Sequence, residues 1–171
     1  MPDKSKYQNA SDADIADLVV QLSLRLLANR IRIATVESCT GGSVAATFTD
    51  LAGSSNWFDR GFVTYSNQAK MDMVGVRSAT IDAYGAVSEA VAIEMAEGGV
   101  SHSEAGCALS ITGVAGPGGG TPEKPVGMVC FAWSGFGVGT QARTEYFQGT
   151  RSEIRHQSVA CAVGHALKLI G

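Results

Sequence analysis

The stretch Ile33-Ala-Thr-Val-Glu-Ser-Cys-Thr-Gly-Gly42 decides how the rest of the chain is read. A β-branched run stops at a hydroxyl-rich turn, and that turn opens directly into a helical pattern. A strand ending at Glu37 and a helix beginning near Gly41 leave Ser38, Cys39 and Thr40 at the strand's carboxyl end. There they lie beside the unpaired N–H groups of the helix's first turn, where an anion or a developing oxyanion would sit.

Upstream, residues 1–10 are polar and read as a frayed start, after which Ser11-x-x-Asp14 opens a long helix as a capping box. Ile15, Leu18, Val19, Leu22 and Leu26 fall at helical spacing and give that helix one buried face. The first strand then runs from about Ile31 to Glu37.

Downstream, Gly42–Leu51 reads as a helix with Gly53 as its left-handed stop, and Trp57 and Phe58 anchor the following loop to the core. A second strand, Gly61–Ser66, precedes a short helix, Asn67–Val74, that carries Lys70. A helix over Ser88–Val100, with Val91, Met95 and Ala92 inward, leads to a third strand, Ala108–Thr112. The segment Gly113–Pro122 holds five glycines and two prolines in ten residues and must be a loop. Val126–Trp133 and Thr140–Phe147 alternate as an antiparallel hairpin, and Arg151–Leu169 closes the chain as a helix. The order αβαβααβββα predicts an α/β fold with a mixed sheet covered by helices, in one domain over residues 11–171.

Of the 171 residues, 45% are apolar and 17% charged, which excludes a disordered chain and leaves enough material for a sizeable core. A net charge of −3 argues against a protein that coats nucleic acid or an anionic membrane. The N-terminus has no apolar signal region and no apolar run reaches membrane-spanning length, so a cytoplasmic location is expected. The four cysteines are scattered without a C-x-x-C pair, so neither disulfides nor zinc is expected, and Cys107, Cys130 and Cys161 read as core thiols.

Three strands end in polar turns: Glu37–Thr40, Thr64–Asn67 and Ser110–Gly113. If those strands are parallel neighbours, all three turns face one crevice at their carboxyl ends. No Walker, dinucleotide-binding or G-x-S-x-G pattern is present, because the glycine-rich loop precedes a strand and no glycine stands two residues before Ser38. None of the three histidines (His102, His156, His165) falls at a strand-end turn, and no metal-ligand spacing occurs. Lys70 is the better candidate base, because a lysine in a dry crevice loses its proton near neutral pH and can then activate a hydroxyl. Tyr65 could orient it. Cys39 is a rival nucleophile at the same turn, its thiol activated by a helix N-terminus. Helix capping alone also explains a Ser/Thr cluster before Gly41. From the residues by themselves, a catalytic turn and a plain cap both remain open.

Five motifs in order change that balance. Glu-Ser-Cys-Thr-Gly-Gly (37–42), Ala-Gly-Ser-Ser-Asn-Trp-Phe (52–58), Gly-Phe-Val-Thr-Tyr-Ser-Asn-Gln-Ala-Lys (61–70), Gly-Ala-Val-Ser (85–88) and Thr-Gly-Val-Ala-Gly-Pro-Gly-Gly-Gly (112–120) together resemble the CinA C-terminal domain family, the nicotinamide-nucleotide amidohydrolases also called PncC. With Phe147-Gln-Gly-Thr-Arg151 the resemblance covers roughly residues 10–170, in what looks like the stand-alone form.

The resemblance implies a three-layer α/β/α sandwich with a mainly parallel sheet. It also implies hydrolysis of the carboxamide of nicotinamide mononucleotide to nicotinic acid mononucleotide and ammonia, in pyridine nucleotide recycling, with no metal or organic cofactor. Carried over by position, Ser38 is the nucleophile and Lys70 the base, with Tyr65 in support. Glu37, Cys39, Thr40, Gly41, Gly42, Ser55, Thr112, Gly113, Gly116 and Arg151 are then expected to bind the substrate. Ser55 also falls in a family motif and competes for the nucleophile role. The partner implied is a small molecule. A homodimer is expected, with the hairpin residues Phe131, Trp133 and Phe136 as its apolar face. A binding module that holds a nucleotide or protein without turnover is the alternative.

Overall fold

A computed structural model describes residues 7–171. Its elements are α1 (Asp12–Asn29), β1 (Ile33–Glu37), α2 (Ser43–Asp50), a 3₁₀ turn (Ser54–Asn56), β2 (Phe58–Val63), α3 (Asn67–Val74), α4 (Ser78–Tyr84), α5 (Glu89–Ser101), β3 (Cys107–Gly113), β4 (Met128–Ser134), β5 (Gln141–Tyr146) and α6 (Arg151–Leu169). The strands form one five-stranded sheet in the order β2-β1-β3-β4-β5. Both β2 and β3 run parallel to β1, and β4 and β5 add antiparallel, so only β4 opposes the common direction. The carboxyl ends of β1, β2 and β3 therefore share one edge, as the three polar turns require.

The period-2 alternation of the central strands sorts large side chains to one face and small ones to the other. Ile33, Leu109, Ile111, Val129, Phe131 and Trp133 pack with α1, α2 and α6 in the larger core. Ala108, Cys130 and Ala132 turn to the opposite face, and the Ser110 hydroxyl on that face donates to the Ala92 carbonyl of α5 at 2.6 Å. The thin face lets α5 lie close to the sheet: a Cβ on Gly99 would come within 2.6 Å of Val36 Cγ2. The result is the expected three layers, with α3, α4 and α5 on the thin side.

Several expectations are corrected. Tyr7–Ala10, expected to fray, form a turn whose Ala10 carbonyl meets His156 Nε2 at 2.9 Å; the rest of the expected frayed start, residues 1–6, lies outside the described residues. The second strand begins at Phe58 and ends at Val63, three residues before the expected range at each end. Phe58 pairs with Ile33, and a bulge between Ile33 and Ala34 absorbs the polar Asp59. Asp-Arg-Gly has little strand propensity, so only pairing at the sheet edge holds it extended. Helix α4 was not foreseen; it buries only Thr80 and Ile81 and is tied to α5 by the Arg77–Glu94 ion pair and a 2.7 Å bond from the Thr80 hydroxyl to Glu94.

Trp57 does anchor its loop, 1% exposed and edge-on to Phe48 at 5.1 Å. The hairpin forms as read, but Phe131, Trp133 and Phe136 are buried inside the fold, with the Trp133 indole N–H donating to the Ala162 carbonyl. That apolar area is spent on the chain's own core, so the hairpin argument for a dimer falls away.

Candidate active site

Ser38 follows β1 directly, and its N–H continues the sheet by donating to the Ile111 carbonyl at 2.9 Å. Strand alternation then turns its side chain to the thin face, toward α3. There Lys70 lies 1% exposed, its Nζ 3.1 Å from Ser38 Oγ. The lysine reaches this point because Ser66 caps α3, its hydroxyl accepting from Ala69 N–H, and one helical turn carries Lys70 back under the sheet edge. Its ammonium also meets two carbonyls, Thr64 O at 2.8 Å and Tyr65 O at 3.3 Å. Among the described residues no carboxylate forms an ion pair with it. Burial therefore holds the Lys70 pKa below its ordinary 10.5. An amine that holds its proton less tightly, within proton-transfer reach of a hydroxyl, is the arrangement a serine nucleophile needs.

The turn around Ser38 is held from both sides. Gly41 and Gly42 take left-handed backbone at φ +59° and +96°, which lets the chain reverse into α2. Glu37, expected at the substrate, instead caps α2: its two carboxylate oxygens accept from Val44 N–H at 2.9 Å and Ala45 N–H at 3.0 Å. Ser43 N–H donates to the Thr40 carbonyl. The first-turn N–H groups of α2, expected to stand free for an anion, are thus committed. The N–H groups of Cys39, Thr40 and Gly42 find no acceptor among the described residues. On the outer side Arg155 donates to Cys39 O at 3.1 Å, Thr40 O at 3.0 Å and Ser43 Oγ at 3.1 Å. Sequence reasoning missed Arg155, although it stands four residues after Arg151 on the same helix face.

Cys39 does not compete well for the nucleophile role. It sits 6% exposed in the larger core, and burial pushes its thiol up to about 12, the reverse of an activated thiolate. The other three cysteines are buried too, as expected of core thiols.

The remaining candidates divide. Thr112 is buried at the end of β3 with its hydroxyl donating to the Ala86 carbonyl. Gly113 and Gly116 form the base of the glycine-rich loop, and Arg151 donates to the Gly116 carbonyl at 2.8 Å and to the Tyr65 hydroxyl at 3.4 Å. Tyr65 thus offers Lys70 its backbone carbonyl, while its exposed ring pairs with Arg151. Ser55 is not brought to this edge. It lies in the turn before β2, and because β2 runs parallel to β1 it sits at the amino end of the strands, opposite Ser38. The Thr40 and Thr64 hydroxyls, on the same two turns as the pair, are buried without a partner among the described residues. A separate cavity of about 480 Å³ opens between α1, α2 and α6, lined by Ser43, Thr47 and Arg155, on the far side of the turn from Lys70.

Residues 15–170 match the sequence model described as the CinA C-terminal domain. The chain belongs to that family. Among its members, the nicotinamide-nucleotide amidohydrolase PncC of Escherichia coli strain K12 is 49% identical, over 90% of this chain and 93% of its own length. The protein of the same name in Enterobacter agglomerans is 44% identical over 92% and 96%. A longer family member, the CinA-like protein of Mycolicibacterium paratuberculosis, is 50% identical but only 38% of it is covered. The crystal structure of competence/damage-inducible protein CihA from Agrobacterium tumefaciens superposes with a TM-score of 0.88 at 40% identity, covering 94% of this chain and 96% of that one. Among the described residues of this CinA-family chain, no helix is long and apolar enough to cross a membrane.

Proposed function

We propose that the chain hydrolyses the carboxamide of nicotinamide mononucleotide, releasing ammonia and nicotinic acid mononucleotide, with Ser38 as nucleophile and Lys70 as base. The observation that carries the mechanism is the 3.1 Å approach of a buried lysine, without an ion-pair partner among the described residues, to the hydroxyl at the end of β1. The substrate comes from the names of the relatives that match nearly the whole chain.

Neutral Lys70 takes the Ser38 proton as Oγ bonds to the carboxamide carbon, and the negative charge moves to the carbonyl oxygen. The Cys39, Thr40 and Gly42 N–H groups, without acceptors among the described residues, are the donors the turn offers that oxygen, each worth about 3 kcal/mol in a dry site. The C–N bond breaks as Lys70 returns its proton to the departing nitrogen. Water then gives a proton to Lys70 while its oxygen attacks the acyl-serine, and collapse of that intermediate frees the acid and restores the Ser38 hydroxyl. Arg151 and the backbone of the glycine-rich loop stand at the same edge and suit the nucleotide's phosphate.

The test is ammonia release from nicotinamide mononucleotide by the purified protein, with Ser38→Ala as control. Turnover in the wild type and none in the variant supports the reading. Tight binding of the nucleotide without ammonia would make the chain a binding module.

A further inference from the structure

We infer that Arg155 is a positioning residue that sets one oxyanion donor of the Ser38 turn, the Thr40 N–H, an inference that rests on Ser38 being the nucleophile. Arg155 lies on α6, in the layer opposite Lys70. It donates from Nε to Cys39 O and from a terminal nitrogen to Thr40 O and Ser43 Oγ. These are consecutive carbonyls of the segment that leaves the nucleophile. A trans peptide is planar, so its N–H points opposite its C=O. Drawing the Cys39 carbonyl toward α6 therefore turns the Thr40 N–H away from α6, toward the face where Lys70 meets Ser38.

The next peptide behaves the same way. The Thr40 carbonyl is held by Arg155, and the Gly41 N–H of that peptide donates to Ser38 O at 3.0 Å, closing the turn on the nucleophile. Of these two N–H groups only that of Thr40 is left without an acceptor among the described residues. Glycine at 41 and 42, at φ +59° and +96°, makes the backbone after Thr40 soft, since glycine tolerates many alternative backbone states. Ser43 N–H and the Glu37 carboxylate hold the helix beyond it, but neither fixes the Cys39–Thr40 peptide. Without Arg155 the Cys39 carbonyl has no donor among the described residues, so the peptide can tilt and carry the Thr40 N–H off the line to the transition-state oxygen.

The two bonds to the carbonyls come from different nitrogens of one rigid fork, a pattern a lysine ammonium cannot reproduce with both at once in fixed geometry. The cavity of about 480 Å³ beside Arg155 also matters, because it offers a small cation a path to the same carbonyls if the side chain is removed.

The experiment measures kcat and KM for ammonia release from nicotinamide mononucleotide in full-length Arg155→Ala and Arg155→Lys, with folding checked by circular dichroism. Loss of one oxyanion donor should lower kcat of Arg155→Ala about 100-fold with KM within about threefold, and Arg155→Lys should fall between it and the wild type. Low millimolar guanidinium should restore part of the alanine variant's kcat, and equal sodium chloride should not. A kcat within about threefold of wild type overturns the inference. So does a loss carried by KM, since the guanidinium would then be holding substrate. If Arg155→Ala does not fold, Arg155→Lys decides alone: a fall confined to kcat supports the inference, and an unchanged kcat overturns it. A wild-type protein that releases no ammonia would refute the proposed activity instead, a result these variants do not produce.

Discussion

Two glycine-bearing segments leave the carboxyl ends of the neighbouring parallel strands β1 and β3, and they are built in opposite ways. After β1, Ser38 and Thr40 are buried, and the backbone between them and α2 is tied by Ile111, Glu37 and Arg155. After β3, the loop is anchored at its base, where Gly116 is buried and its carbonyl takes a bond from Arg151, but residues 117–123 are exposed. A Cβ on Gly118 or Gly119 would touch nothing within 4 Å. The first segment is dry and pinned, which suits a reacting atom that must not move. The second is open at its tip, which suits backbone that must come close to a ligand. Chemistry and recognition are thereby placed on adjacent strands with different rigidity.

Six substitutions would break or sharpen that contrast. The largest effect is expected from Ser38→Ala, which should lower kcat at least about a thousandfold while nicotinamide mononucleotide still binds, as isothermal calorimetry would show. Ser55→Ala, at the far end of the strands, should stay near wild type. A reversal of those two results would make the Ser38 turn only a helix cap.

Lys70→Arg should be nearly as inactive as Lys70→Met, because arginine keeps the charge but does not deprotonate at working pH. In the wild type, activity should rise with pH through the lowered Lys70 pKa, since the neutral amine is the working form. The same shift predicts a stability effect with a definite sign. Between the lowered folded value and the unfolded 10.5, the unfolded chain binds the extra proton, so stability rises with pH through that window. Lys70→Met should therefore gain most in Tm on the acid side of the window, and the gain should shrink as pH climbs toward 10.5. Substantial turnover in Lys70→Arg with the same rising limb would remove Lys70 as the base.

Glu37→Gln should act on stability first. It exchanges a carboxylate that accepts from both Val44 and Ala45 for an amide with one acceptor oxygen, at a cost of about 2 kcal/mol in urea unfolding. An unchanged midpoint would mean that the α2 cap contributes little. The smallest effect belongs to the open loop. Gly118→Ala has free space around it and should leave Tm and kcat alone. A rise in KM for nicotinamide mononucleotide of several-fold would mean that the loop backbone approaches the nucleotide, and an unchanged KM would assign phosphate contact elsewhere.

The sequence by itself determined the layers and most of the elements. Helical spacing from Ile15 to Leu26, the β-branched run into Glu37 and the alternating hairpin are local patterns, and local patterns survive without knowledge of partners. It also brought Ser38 and Lys70 into view, through motif order and through the expectation that parallel strand ends share one edge. Only the tertiary structure could decide what each polar group of that edge is committed to. Glu37 looked like a site residue because it sits in a motif, but its oxygens belong to α2. Tyr65 serves Lys70 through a carbonyl, which every residue carries and no side chain advertises. Ser55 was separated from Ser38 by strand direction, and β2 was held at the sheet edge by pairing that its polar Asp59 and Arg60 conceal. Arg155 reaches back across more than a hundred residues to its carbonyls. Hydrogen-bond commitments of this kind are non-local, and they are settled when the layers close.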